Sequence, residues 1–346
     1  MRQTDTIIAI VVFVGLAACD GDGGGPKIGL DTGGDDGGGI DTAELPDTES
    51  PETGSPDTTS DTEGRDVADG QFGDIPMSGD ADAASGLRVA AGQWHSCKVG
   101  SDGSADCWGR NEGNERMGPI GQQLREIAAG KATTCGIRPD ETGDCWGTDD
   151  QGEVRGPTEV LLVAIATSGE HTCGIDPDGQ PVCWGGNGTN QTTPPRPEEG
   201  VDAITAGVGF TCGLLETGDP ICWGTGIDAR PPNVSLIDIT AGYDHACGIA
   251  GEDDSVICWG SETNGEATPP TGEFTDVEAG KQLTCGLRTG GEVACWGTRE
   301  FGAVAGTPAG TYVDLAVGAA HACAIDAAGE VTCWGRDEYG EARPPQ

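Results

Sequence analysis

Fourteen cysteines stand in seven pairs: Cys97-Cys107, Cys135-Cys145, Cys173-Cys183, Cys212-Cys222, Cys247-Cys258, Cys285-Cys295 and Cys323-Cys333. The second cysteine of every pair opens the tripeptide Cys-Trp-Gly, which takes up seven of the eight tryptophans in the chain. Successive first cysteines are 38, 38, 39, 35, 38 and 38 residues apart. A period of that length means one small supersecondary unit repeated seven times, and no fold that ignores it can be right.

Within each unit the apolar residues recur with strand period. An aliphatic stands eight residues before each first cysteine (Val89, Ile127, Ile165, Ile204, Ile239, Val277, Leu315) and another two residues after it (Val99, Ile137, Ile175, Leu214, Ile249, Leu287, Ile325). Positions i and i+2 share one face of a strand. Turn residues such as Asp102-Gly103 and Asp178-Gly179 lie between the two cysteines and mark a hairpin. A glycine five residues before the first cysteine, present in six units, reads as a tight turn; the third unit has Ser168 there, with Gly169 next. The predicted unit is a first strand, this turn and a hairpin: three short strands, with a fourth possible in the proline-rich stretch that closes each unit. Seven such sheets predict an all-β fold, a seven-bladed β-propeller of three- to four-stranded blades over 86–346. An open β-solenoid is the competing architecture; it wants distinct polar end caps, and neither end of the repeat looks atypical.

Units such as Ala-Gly-Tyr-Asp-His-Ala-Cys-Gly-Ile, closing on Val-Ile-Cys-Trp-Gly, resemble repeats of the regulator of chromosome condensation family. They are similar in particular to its short-repeat, seven-bladed β-lactamase inhibitory members, notably across Gly185–Gly207. The resemblance covers 86–346 and implies a propeller that serves as a binding scaffold. A cysteine pair in every blade departs from that pattern. Nine or ten residues separate the members of each pair, centred on the turn, so they oppose one another on adjacent strands at a distance a disulfide can span.

All four histidines, His95, His171, His245 and His321, stand two residues before a first cysteine. His and Cys at i and i+2 could ligate zinc, but oxidised cysteines cannot, and other units place Thr133, Phe210 and Leu283 there. The expected role is structural, with hydrogen bonds to nearby backbone, and neither metal nor cofactor is expected. No nucleophile elbow, zincin motif or phosphate loop occurs, so no catalytic residue is assigned and the chain is read as a non-enzyme. Recognition is expected instead from the two residues after each glycine turn, which vary between units. The candidate binding face comprises Trp94, Lys131, Glu170, Tyr243, Asp244 and Lys281, with Phe301 and Tyr339 in the loops after Cys-Trp-Gly. The partner expected is a protein or a cell-envelope macromolecule, bound by a monomer. A β-lactamase-inhibitor-like role, and an enzyme acting on envelope polymer through loop carboxylates, are the alternatives.

The residues before the repeats set the location. Ile7 to Ala18 form a twelve-residue apolar run, too short to span a bilayer, behind Arg2. The run ends in Leu16-Ala17-Ala18-Cys19, which resembles the lipobox of bacterial lipoproteins. That resemblance implies a signal peptide over 1–18 and acylation of Cys19, the one cysteine outside the pairs. It places the chain in the cell envelope, lipid-anchored at the outer membrane or cell surface rather than at the inner membrane. Residues 19–85 form a linker; from Asp20 to Ser85 it has 18 acids, two bases and 15 glycines, too little apolar surface to offset chain ordering, and is expected to be disordered. A flexible chain of that length spans roughly 45 Å. The whole chain has 58 Asp plus Glu against 18 Lys plus Arg, a formal charge of −40, which excludes nucleic acid as a partner. Such an acidic surface also fits life in high salt.

Overall fold

The computed structural model describes residues 87–345 apart from 119–120, 158–159 and 228–229; the expected signal peptide, Cys19 and the expected linker lie outside the described residues. Twenty-one strands form seven three-stranded antiparallel sheets, each in simple meander order. In the first, β1 (Arg88–Ala91) pairs with β2 (His95–Val99), which pairs with β3 (Ala105–Gly109). The seven blades span 88–109, 126–147, 164–185, 201–224, 236–260, 274–297 and 314–335. The proline-rich connections hold no fourth strand among their described residues. A proline has no N–H to give a ladder, so these segments are poor edge strands.

Inner strands of neighbouring blades pack on one another all round, the first against the seventh, so the ring closes. The solenoid alternative is thereby excluded. Aliphatics at the expected positions fill the joints: Val89, Ile127, Ile165, Ile204, Ile239, Val277 and Leu315 are all fully buried. Each cysteine pair sits directly opposite in register, as in Cys97 with Cys107, and each is joined by a disulfide with Cα atoms 4.0 Å apart.

The recurrent glycine has a different reason from the one the sequence suggested. A Cβ on Gly92 would lie 2.2 Å from the carbonyl oxygen of Gly130 in the next blade, and one on Gly280 would lie 2.1 Å from that of Gly318. These glycines form a collar around the axis where neighbouring backbones touch, so the position excludes a side chain on steric grounds. Hydrogen bonds cross the collar, including Gln93 N–H to Gly130 O and Ala319 N–H to Gly92 O.

One joint geometry recurs, and it shows what the histidines do. His95 Nε2 meets Thr134 Oγ1 of the next blade at 2.8 Å, and Thr134 Oγ1 donates to the carbonyl of Glu115 in the loop between them. Trp146 Nε1 donates to that same carbonyl. The hydroxyl hydrogen is spent on the carbonyl, so the histidine must donate through Nε2. His171 with Thr211, His245 with Thr284 and His321 with Ser96 repeat the arrangement at 2.8 Å, the last across the closing joint, where Ser96 and Trp108 both bond Glu341 O. The histidine partner is therefore a side-chain hydroxyl on the neighbouring blade, a correction to the expected nearby backbone. Where Phe210 and Leu283 replace histidine, the next blade carries Ala246 and Ala322 in place of the hydroxyl, and the joint becomes apolar.

The joint between the fourth and fifth blades departs furthest. Its loop is short, and Trp259 Nε1 has no partner among the described residues, whereas Trp296 Nε1 bonds Glu266 O at 2.9 Å. Both rings are equally buried, so their replacement by Phe removes a similar buried area and the hydrogen bond is the chief difference. Trp296→Phe is expected to cost about 1 kcal/mol more than Trp259→Phe in denaturant unfolding. Equal losses would show that the tryptophans act by volume alone.

Candidate functional site

Each first strand runs up to the glycine collar, the second returns, and the third runs up again. The β1–β2 turn and the loop that leaves β3 therefore lie at the same end of the ring, as do their counterparts. Backbone bonds tie the two sets: Arg110 N–H to Trp94 O, Thr148 N–H to Ala132 O, Ser261 N–H to Asp244 O and Arg336 N–H to Ala320 O. The Gly of Cys-Trp-Gly makes this possible, since Gly109, Gly147 and Gly335 turn out of the sheet at φ 91°, 113° and 99°.

The outgoing loops are rigid through a feature that sequence reading missed. Six residues past the Gly of Cys-Trp-Gly stands Glu115, Glu153, Gln191, Glu266 or Glu341, all buried. Each folds back to cap its own loop: Glu115 accepts from Gly113 N–H, Glu153 from Gln151 N–H, Gln191 from Thr189 N–H, Glu266 from Asn264 N–H and Glu341 from Tyr339 N–H. Its own carbonyl takes the tryptophan of the next blade. The recurrence was visible in the sequence, but as one more acid in a polar loop. Burial pushes the Glu115 carboxyl up; hydrogen bonds from backbone and Arg110 outweigh that and hold it below the usual carboxylate range.

On this frame the predicted face divides into sectors. Trp94 is half-buried; Arg110 lies 3.9 Å over its ring, Arg336 6.0 Å from it, and Tyr339 meets its edge at 6.2 Å. Arg336 also lies 5.9 Å from Phe301. The first, sixth and seventh blades thus bring Trp94, Phe301 and Tyr339 together. Phe301 is 52% exposed and Tyr339 46%. Phe301 is held in the left-handed region at φ 56°, a costly conformation for a bulky residue and one that marks a built feature. Lys131 of the second blade sits against Gly169 of the third, one residue before Glu170.

Tyr243, Asp244 and Lys281 form another sector, with the Lys281 ammonium 5.4 Å from the Tyr243 ring. Tyr243 also packs with Val208 against the core around Ala316 and Ala319. It is half plug, so a fully presented anchor is the wrong description of it. None of the six predicted face residues is fully exposed; the collar draws the turns inward, and the outgoing loops form the outer surface. Burial, then the neighbouring Glu266, pushes the Asp244 carboxyl above its ordinary value.

The histidines do not reach this face. All four are completely buried in the joints, and burial lowers them from 6.5 to about 4 for His95 and His245 and about 3 for His171 and His321. Among the described residues no group of three His, Cys, Asp or Glu is placed to hold a metal ion.

The model of the Regulator of chromosome condensation (RCC1) repeat matches residues 236–266 and 312–341, the fifth and seventh blades with the loops after them. No curated protein matches the sequence. Among solved structures, the ectodomain of the Physcomitrella patens receptor kinase CR4 is 25% identical with a TM-score of 0.63, covering 71% of this chain and 72% of that one. The CRINKLY WD40 ectodomain of the Arabidopsis thaliana receptor kinase ACR4 is likewise 25% identical with a TM-score of 0.63, covering 75% and 98%. Yeast RCC1 (Prp20), solved with Kap60, shares the fold at 16% identity and a TM-score of 0.56, covering 67% and 78%. The chain is a seven-bladed β-propeller, and two of its blades match the RCC1 repeat.

Proposed function

We propose that this chain is a lipid-anchored binding scaffold of the bacterial cell envelope, facing outside the cytoplasm, which engages a protein through the loop face of its propeller. The observation that carries the reading is directional. Leu87 enters β1 at the end of the ring opposite the collar, whereas Trp94, Phe301 and Tyr339 lie at the collar end, so a chain leading into Leu87 is attached away from the loop face. A leash attached there leaves the loop face free for a partner. The linker charge adds repulsion from anionic lipid and extends the leash. Structural neighbours give a precedent for protein partners: yeast RCC1 is solved bound to Kap60, and Prp20p from Saccharomyces cerevisiae is described with its binding to Gsp1p and histones.

Affinity capture with the full chain from its native envelope, followed by mass spectrometry, tests this. A protein partner is expected to be retained by the wild type and lost or weakened at least severalfold with Trp94→Ala or Tyr243→Ala, since aromatic anchors carry a large share of interface energy. Cys19→Ala is expected to move the chain from the membrane to the soluble fraction. Capture unchanged in both aromatic variants overturns the loop-face assignment, and a Cys19→Ala chain still in the membrane overturns the anchor.

A further inference from the structure

Seven tryptophans hold one repeat position, yet two of them differ from the rest. Trp108, Trp223, Trp259, Trp296 and Trp334 are no more than 9% exposed, whereas Trp146 and Trp184 are only half-buried. A cavity opens beside each of these two rings. It measures about 610 Å³ at Trp146, between the first and second blades, and about 300 Å³ at Trp184, between the second and third. The two are one site repeated: Cys107, Gly118 and Leu124 line the first, and their repeat equivalents Cys145, Gly156 and Leu162 line the second. Each indole donates inward, Trp146 Nε1 to Glu115 O and Trp184 Nε1 to Glu153 O, so the part left open is hydrocarbon.

The outgoing loops explain why these joints are open. Gly118 and Gly156 lie against the benzo ring of the indole, where a Cβ would stand 2.9 Å from Trp146 and 3.1 Å from Trp184. In the third, fifth and seventh blades the same loop position is Pro194, Pro269 or Pro344, and the tryptophan of the following blade, Trp223, Trp296 or Trp108, is buried. Side-chain carbons at that position are aimed at the indole, so the fold closes three of its own joints with proline. The sixth blade also has glycine, Gly306, but Tyr312 packs with Trp334 where the open joints have Leu124 and Leu162. Charge is balanced at both mouths. The first carries Asp102 and Arg116; at the second Asp144 pairs with Arg138, and Arg155 with Asp149.

We propose that the twin cavities on the rim of blades one to three are a docking site for a proline-rich segment of a partner protein. Its prolines take the place beside Trp146 and Trp184 that the chain's own prolines fill in other joints. The site is separate from the loop face and does not depend on the reading above. Proline-rich segments dock on aromatic-lined grooves because their polyproline II helix is ordered before binding. An uncharged, apolar occupant matches the balanced mouths, and recurrence of the cavity in successive joints suits a ligand whose own residues repeat.

Calorimetric titration of the full chain with acetylated, amidated decaproline, about 31 Å long in that helix, tests this. A Gly/Ser decapeptide and a neutral oligosaccharide serve as controls, all at about 150 mM salt so that long-range charge is screened. The proline peptide is expected to bind and both controls to give no heat. Gly118→Pro with Gly156→Pro recreates the Pro-Pro pair of the closed joints and is expected to weaken binding at least about tenfold. Neither glycine has a positive φ, and neither N–H has a partner among the described residues, so the backbone accepts proline there. Leu124→Tyr with Leu162→Tyr, which copies Tyr312, fills the cavities from the other wall and is expected to weaken binding by a similar factor. Phe301→Ala with Tyr339→Ala, on the loop face, is expected to change it less than about twofold. No binding of decaproline, equal binding of the Gly/Ser peptide, or affinity unchanged in both filled pairs overturns the proposal. Heat from the oligosaccharide alone overturns it in favour of a glycan, and a loss confined to the Phe301/Tyr339 pair overturns it by moving the contact to the loop face.

Discussion

Reducing the seven disulfides is expected to unfold the propeller outright. Each bridge closes a hairpin of 10 or 11 residues in sequence separation. In the chain-entropy account a loop of that size contributes roughly 2.7 kcal/mol, and seven contribute roughly 19. Net stability of a folded domain is about 5–15 kcal/mol, so the bridges together outweigh any plausible surplus. These blades have little else to draw on, since one three-stranded sheet is marginal alone and each joint holds aliphatics of modest size around a single tryptophan. Circular dichroism melts with and without a phosphine reductant, with intact mass to count the hydrogens taken up, give the result. A fully reduced chain that still melts cooperatively within a few degrees of the oxidised one would show that packing between blades suffices.

Stability against pH should peak near pH 6 and fall on both sides, because two sets of buried groups titrate with opposite sign. The four histidines are held neutral at about 3 to 4 in the fold against 6.5 when exposed. Below pH 6.5 the unfolded chain takes up protons that the fold refuses, and this contribution is lost as pH falls toward 4. Protonation would put a second N–H on rings whose Nδ1 has no partner in His95, His245 and His321.

The inner carboxylates work the other way. Burial raises Glu126 and Asp238 to about 7; it also raises Glu278 well above its usual range, helped by Asp276, Asp238 and Asp314. The fold holds these protons at neutral pH and the unfolded chain does not, so their contribution is largest in acid and fades as pH rises through 7. Between about pH 5.5 and 6.5 the four histidines and three carboxylates nearly cancel, which sets the maximum. Each unbalanced proton is worth about 1.4 kcal/mol per pH unit, so stability should drop by a few kcal/mol at pH 4 and again at pH 8. Denaturant midpoints at pH 4, 6 and 8 measure it. Glu126→Gln, which keeps an acceptor for the Ile165 N–H that Glu126 bonds at 3.0 Å, should flatten the alkaline arm and leave the acid arm in place. A midpoint that rises from pH 6 to 8 would contradict the assignment.

The period, the strands and the pairing of cysteines were legible because each depends on residues a few places apart. The blade joints were not, because they depend on which blades touch. His95 needs a hydroxyl at Thr134 and Phe210 a small partner at Ala246, a correlation plain in the sequence once the ring is known and invisible before. Glycine at the collar was read as a turn former, since a turn is the local reason for glycine; the actual reason is a carbonyl from the next blade. The candidate face residues share one end of the ring, as their place in the repeat implies, yet they are half-buried, because turns near an axis crowd one another while the outgoing loops splay.

Closure of the ring has a consequence for how such a molecule can diversify. The last joint is fastened by Ser96, Trp108 and His321 with the Glu341 carbonyl, the same parts used elsewhere, and among the described residues no strand is borrowed from one terminus to complete the blade of another. The loop after the seventh blade fastens the first blade just as every other outgoing loop but one fastens the blade that follows it, so closure needs no separate device. Since the described blades draw no strand from ahead of Leu87, exchanging that leading segment is expected to leave the wheel folded, and under the proposed function reach and grip become separate traits.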